Sequence, residues 1–271
     1  MYITKWSQAG EYIFIKNYSP RSYGAPSKHR IRRMRDTPKA MEKYNNKKRA
    51  EKLQMLMILN FDKGYHVTLD YPKGQRPETY EEAEKNLRKA LYKVSRRLKK
   101  EGIRFKYIAV TERGKRAAAL HHHVIIENDQ RILEELMAVW GNHIKMSRMY
   151  EEGAYKDLAE YIIKVETKEE QTKGKAKYHR SRNLKEPTVR VSLIPGAIKD
   201  DPQIPEGYVL EQESVVNGYN EILGIRYQSY VVKRGLSQQY PKRSQQQPKT
   251  KGVQKGSLWS RIKNIFKKRR Q

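Results

Sequence analysis

Three consecutive histidines, His121, His122 and His123, stand in the run LHHHVIIE, and nine residues before His121 the run IRFKYIAVTE ends on Glu112. Side chains alternate across a strand, so His121 and His123 share one face about 7 Å apart at Cα, while His122 points to the other. Neutral imidazoles are common ligands of divalent metals. On spacing alone the pair reads equally well as core or surface histidines. A short hairpin would add the Glu112 carboxylate, and a His-Glu-His set with open positions suits Mg²⁺ or Mn²⁺, which polarises phosphoryl oxygens. Further on, YIIK places Tyr161 and Lys164 on one helix, roughly 60° apart and off the centre of the apolar stripe Tyr155, Leu158, Ile162 and Val165. An aromatic on a helix flank is ordinarily partial core. As a nucleophile, a phenol with an ordinary pKa of about 10 needs a nearby cation. The chain has no cysteine, which excludes a thiol nucleophile, a cysteine-containing zinc site and disulfides. It also lacks a G-x-x-x-x-G-K-[ST] phosphate loop, which argues against an attached ATP-driven helicase.

The elements that must hold these residues follow from periodicity and punctuation. Tyr65 to Tyr71 (YHVTLDY) reads as a strand closed by Pro72 and Gly74. His66, Thr68 and Asp70 share one of its faces, with His66 a weaker candidate ligand. Pro77 to Lys100 reads as a helix with acidic early turns and a basic end, stopped by Gly102. Ile103 to Glu112 and Leu120 to Glu127 read as strands around a basic turn at Arg113 to Arg116. Asn128 or Asp129 caps a helix from Gln130 to Trp140. A strand near His143 to Met149 and a helix near Gly153 to Val165 complete the series, and a Lys-rich helix from Pro38 to Leu59 precedes it. The central hairpin makes the fold α+β, an antiparallel sheet with flanking helices, rather than doubly wound.

In this order, a Thr-containing strand, a Glu-bearing strand, H-x-H followed by three apolar residues, and Y-x-x-K on a later helix resemble the HUH endonucleases. The wider run through NFDKGYHVTLDYPKG, VTERGKRAAALHHHVIIE, YIIK and YHRSRNLKEP, over roughly residues 30–195, resembles the rolling-circle replication initiators of Gram-positive plasmids, phages and integrative elements. The resemblance implies a ferredoxin- or RRM-like topology and a metal held by Glu112, His121 and His123. It implies that Tyr161 is the nucleophile, that Lys164 positions the scissile phosphate, and that Thr68 is a motif residue. It further implies nicking and joining through a 5′-phosphotyrosine, leaving a 3′-hydroxyl for a host polymerase, with a host helicase recruited. Some relatives pair two tyrosines as Y-x-x-x-Y. Here Tyr155 lies six residues from Tyr161 and about 120° round the helix, which favours one nucleophile. A conjugative relaxase or transposase of the same superfamily, and a non-catalytic nucleic-acid-binding module, are the alternatives.

The formal net charge of +28 points to a polyanion, because each neutralised phosphate releases counterions. Residues 1–50 carry 13 basic and 3 acidic side chains, 51–230 carry 32 and 27, and 231–271 carry 13 and none. This divides the chain into a basic arm and helix (1–60), a nicking-joining domain (61–195), a small appendage (196–235) and a basic tail (236–271). The tail ends in an amphipathic segment from Gly256 bearing Leu258, Ile262 and Ile265. Candidate contacts to single-stranded or supercoiled origin DNA are Arg32, Arg33 and Arg35 in the arm and Arg113, Lys115 and Arg116 in the turn. His179, Arg180, Arg182 and Asn183 in YHRSRN join them, since Arg presents a planar fork of donors. No run reaches the roughly 18 apolar residues of a membrane span, and a cytoplasmic protein is expected.

Overall fold

The computed structural model describes residues 1–20, 39–114, 119–149, 152–166, 178–220 and 225–235. Strand β3 (Tyr65–Leu69), helix α2 (Tyr80–Lys100), strands β4 (Tyr107–Arg113) and β5 (Leu120–Ile126), helix α3 (Gln130–Trp140) and strand β6 (Ile144–Arg148) follow one another. With β7 (His179–Arg180) they form an antiparallel sheet of order β6-β3-β5-β4-β7. Two β-α-β units interleaved in this way are the split βαβ arrangement of ferredoxin-like folds. The fold is therefore α+β with a central antiparallel sheet.

Helices cover both faces of this sheet. On one, Val67, Leu69, Ala109, Val124 and Ile126 pack against Leu87, Leu91, Val94 and Leu98 of α2 and Ile132 and Leu136 of α3. On the other, Ile108, Val110 and Ile125 pack against Leu53, Leu56 and Met57 of α1 (Lys39–Asn60) and Ala159, Ile162 and Ile163 of α4 (Lys156–Glu166). The central strand β5 is apolar on both faces, as a doubly covered strand must be.

Local chemistry sets the element ends. Helix α2 begins at Tyr80 rather than Pro77, because Thr79 is extended (φ −109°, ψ 152°) and its hydroxyl accepts from the Glu82 N–H at 3.2 Å. Asp129 is the cap of α3, accepting from the N–H groups of Arg131 and Ile132. β4 starts at Tyr107 rather than Ile103 because its partner β5 ends at Ile126, directly opposite Tyr107. α4 starts at Lys156. The expected helical turn before it is a 3-10 turn, Glu152–Tyr155, in which Ala154 (φ 49°) and Tyr155 (φ 61°) are left-handed.

A second antiparallel sheet is built from both ends of the described chain. Strands β1 (Tyr2–Ala9), β2 (Tyr12–Tyr18), β8 (Thr188–Ile194), β9 (Tyr208–Leu210), β10 (Val216–Asn220) and β11 (Ile225–Arg234) take the order β10-β11-β2-β1-β8, with β9 also on β11. Charge counting groups residues 1–60 as an arm and 196–235 as an appendage, yet β1 and β2 lie between β8 and β11 in one ladder. Their lysines do not prevent it. Lys16 is absorbed by an ion pair with Glu51 of α1 at 2.7 Å, and Ala9 and Phe14 pack on Met55 of the same helix. The other face holds Ile13, Ile15, Tyr230 and Val232. No helix among the described residues is long and apolar enough to cross a membrane.

Candidate active site

Strand register brings the candidate metal ligands together. Glu112 on β4 lies opposite His121 on β5, and Thr68 on β3 lies opposite His123. His121 and His123 share the face covered by α1 and α4. Glu112 Oε2 sits 2.9 Å from His123 Nε2 and 3.5 Å from His121 Nε2. One ligand atom from each of the three lies within 4.8 Å of the others. From α4, the Tyr161 hydroxyl donates to the same Oε2 at 2.9 Å and lies 3.5 Å from His123 Nε2. The ordering is physical: Ala159, Ile162 and Ile163 bury one side of α4 in the core, and that rotates Tyr161, on the flank, over the end of β5.

The remaining nitrogen of His123 is held as well. Its Nδ1 lies 3.1 Å from His66 Nε2 and 3.3 Å from Thr68 Oγ1, and the His66 ring stacks on it at 5.0 Å between centroids. Binding a cation through Nε2 requires that atom's lone pair, which puts the proton on Nδ1, where His66 or Thr68 can accept it. The donor set of one carboxylate and two imidazoles, with a supported outer nitrogen, fits a divalent metal ion. Sequence periodicity put His66 and Thr68 on one face of β3. It did not reveal that both serve His123, because that depends on pairing with β5.

The charges follow from these contacts. Burial works to raise the Glu112 carboxyl, but hydrogen bonds from His121, His123 and Tyr161 outweigh it and hold the group well below the usual carboxylate range. Burial lowers the His121 imidazole, yet its bond to Glu112 carries it above its ordinary value. Burial, then the proximity of His123, presses His66 down to about 3 against the opposing pull of Glu112, keeping that ring neutral. Tyr161 is raised well above the ordinary phenol value by burial and then by the Glu112 charge. With only these residues around it, the phenol stays protonated at neutral pH.

His122 turns to the opposite face and is fully buried. Its Nε2 lies 2.7 Å from the Tyr71 hydroxyl and its Nδ1 2.9 Å from Thr111 Oγ1, with Trp140 edge-on at 5.4 Å. Burial pushes Tyr71 up to about 12 and His122 down to about 3. This histidine anchors the strand.

The other candidates are distributed differently. Tyr155 is a core residue, only 6% exposed, so it leaves Tyr161 as the one tyrosine of α4 at the carboxylate. Lys164 lies on α4, and its side chain is outside the described residues. Arg113 ends β4, whereas Lys115 and Arg116 in the turn, Arg32, Arg33 and Arg35, and the amphipathic segment from Gly256 lie outside the described residues. His179 approaches Glu84 at 3.3 Å, Arg180 pairs with Glu186, and Asn183 donates to the Phe105 carbonyl at 3.3 Å. These contacts tie the YHRSRN segment to the domain. Arg182 is exposed.

No curated protein and no solved structure matches the chain. Residues 64–179, less than half of the 271, match the family model of the ORF2-type replication-associated proteins. That segment runs from the start of β3 to His179 and contains Glu112, His121, His123 and Tyr161. Over this segment the chain carries a domain of the ORF2-type replication-associated protein family, consistent with a rolling-circle replication initiator.

Proposed function

We propose that this protein initiates rolling-circle replication by nicking and rejoining single-stranded origin DNA through a 5′-phosphotyrosine on Tyr161, as an HUH-type strand transferase. One observation carries the reading: the Tyr161 hydroxyl and the His123 Nε2 meet the same oxygen of Glu112, each at 2.9 Å. A core tyrosine has no need of a carboxylate shared with two histidines, but a nucleophile beside a metal centre does. Mg²⁺ or Mn²⁺ bound by Glu112, His121 and His123 would supply Lewis-acid charge to the phosphoryl oxygens and offset the carboxylate charge.

With that charge offset, one of the two causes that hold the phenol protonated is gone, leaving burial alone. The Tyr161 oxygen then bonds to phosphorus, and the bond from phosphorus to the 3′ oxygen breaks. That oxygen leaves as a 3′-hydroxyl, taking up a proton, while the phenolic proton passes to solvent. Each phosphoester broken is replaced by another, so rejoining needs no ATP. Lys164 is assigned to the scissile phosphate. Arg113, Lys115, Arg116, Arg182 and the basic arm bearing Arg32, Arg33 and Arg35 are assigned to backbone phosphates. The substrate would be met in the cytoplasm, where a host helicase and polymerase can extend the 3′-hydroxyl.

The test is a covalent protein–DNA band on a denaturing gel after incubating the full chain with labelled single-stranded origin DNA and Mn²⁺. Tyr161→Phe should lose the band while retaining DNA binding, and EDTA should abolish it. A band that persists in Tyr161→Phe removes the nucleophile assignment, and cleavage that survives EDTA removes the metal.

A further inference from the structure

Strand β8 is the last strand of the second sheet and pairs through seven consecutive residues with β1 alone. Among the described residues no strand lies on its outer edge. Sheet edges are ordinarily protected by brevity, bulges, proline or inward charge. β8 (TVRVSLI) is seven residues long, its pairing with β1 is free of bulges, and Arg190 is its only charged residue. Val189, Val191 and Leu193 project from one face and are 49%, 48% and 52% exposed, whereas Ile3, opposite Leu193 on β1, is 2% exposed. An apolar row ends at an open ladder.

We infer that β8 is a homodimer interface, pairing antiparallel with β8 of a second copy about a two-fold axis through Val191. The sequence of the strand selects both the partner and the register. With Val191 opposite its own copy, Val189 faces Leu193 and Arg190 faces Ser192. The three apolar residues of each chain then merge into one continuous row of six. Shifting so that Arg190 is the centre sets two guanidinium groups opposite each other, and like charges directly opposed are destabilising. Slipping by one residue sets Arg190 against Val191 and mixes the two faces. A second copy of this strand is thus the occupant whose pattern it matches, and the two six-stranded sheets become continuous. The dimer would hold two copies of Tyr161, where one chain offers one. The inference rests on β8 alone and does not depend on the nuclease reading.

The absence of cysteine makes the register directly testable. Directly opposed residues of antiparallel strands lie about 4.5–5.5 Å apart at Cα, inside the reach of a disulfide. Val191→Cys should therefore cross-link to a dimer under mild oxidation. Val189→Cys alone should not, since four strand positions, about 14 Å, separate it from its copy. Val189→Cys combined with Leu193→Cys should cross-link again. By analytical ultracentrifugation of the full chain, freed of nucleic acid, the unmodified protein should dimerise reversibly with concentration. Val191→Lys should be monomeric, and mixing it with Val191→Glu should restore a dimer. Val191 is half exposed, so these changes leave the core intact. A protein monomeric at every concentration, a dimer indifferent to Val191→Lys, or equal cross-linking of Val191→Cys and Val189→Cys would each overturn the inference.

Discussion

His66 and His122 are both histidines beside the metal-binding strand, and the side of the sheet each faces separates their roles. His66 touches the outer nitrogen of His123, so His66→Ala should leave the fold intact and weaken Mn²⁺ binding by about 10–100-fold, the usual effect of removing a ligand's supporting partner. His66→Gln, which can still accept a hydrogen bond, should recover most of it. Calorimetric titration with Mn²⁺ reads both, and an unchanged affinity in His66→Ala would end the positioning role. His122 faces the other core and satisfies Tyr71 and Thr111. Its replacement by Ala should cost about 1–3 kcal/mol for the buried groups left unpaired, before any cavity cost. Urea denaturation measures that loss, and a stability within error of the parent would show that water replaces the ring.

At the scale of elements, the candidate ligands and the candidate nucleophile stand on different supports. Glu112, His121 and His123 sit on paired strands whose register is locked by a buried face. Tyr161 sits on α4, which reaches the carboxylate only because Ala159, Ile162 and Ile163 seat it against α1 and the sheet. Ile162→Ala should therefore cost about 2–5 kcal/mol and slow adduct formation on Tyr161 while leaving Mn²⁺ affinity nearly unchanged. Parallel loss of metal affinity and adduct would mean that the sheet, too, depends on this packing. The left-handed turn at Ala154 and Tyr155 belongs to the same scale, since it ends the preceding segment and sets where α4 begins.

Over the whole molecule, charge and chemistry are separated. The tail 236–271 has no acidic residue, while 51–230 is close to balanced. Each phosphate neutralised adds to the slope of affinity against salt. We expect removal of 236–271 to weaken DNA binding and flatten its salt dependence, with adduct formation on Tyr161 surviving at saturating DNA. Binding titrations at several salt concentrations, alongside the covalent-adduct gel, read the two separately. An unchanged slope would remove the tail from the DNA contacts, and loss of the adduct at saturation would give it a place in the chemistry.

The first domain was legible in the sequence because its information is local. Alternation in YHVTLDY and LHHHVIIE, the 3.6-residue stripe of α2 and the caps at Asp129 and Gly102 each depend on neighbours a few residues away. The same alternation put His121 and His123 on one face, and the nine-residue spacing to Glu112 pointed to a hairpin. Other features arise between segments far apart in the chain, and no local pattern encodes them. The tertiary structure alone set His66 and Thr68 against His123, buried Tyr155 while leaving Tyr161 at the carboxylate, and gave His179, Arg180 and Asn183 their partners. Residues 1–18 look like part of a basic arm when charges are counted along the chain. They become strands because Ile3, Ile13, Phe14 and Ile15 find buried places between β8 and β11, and ladder pairing with burial outweighs the few lysines they carry.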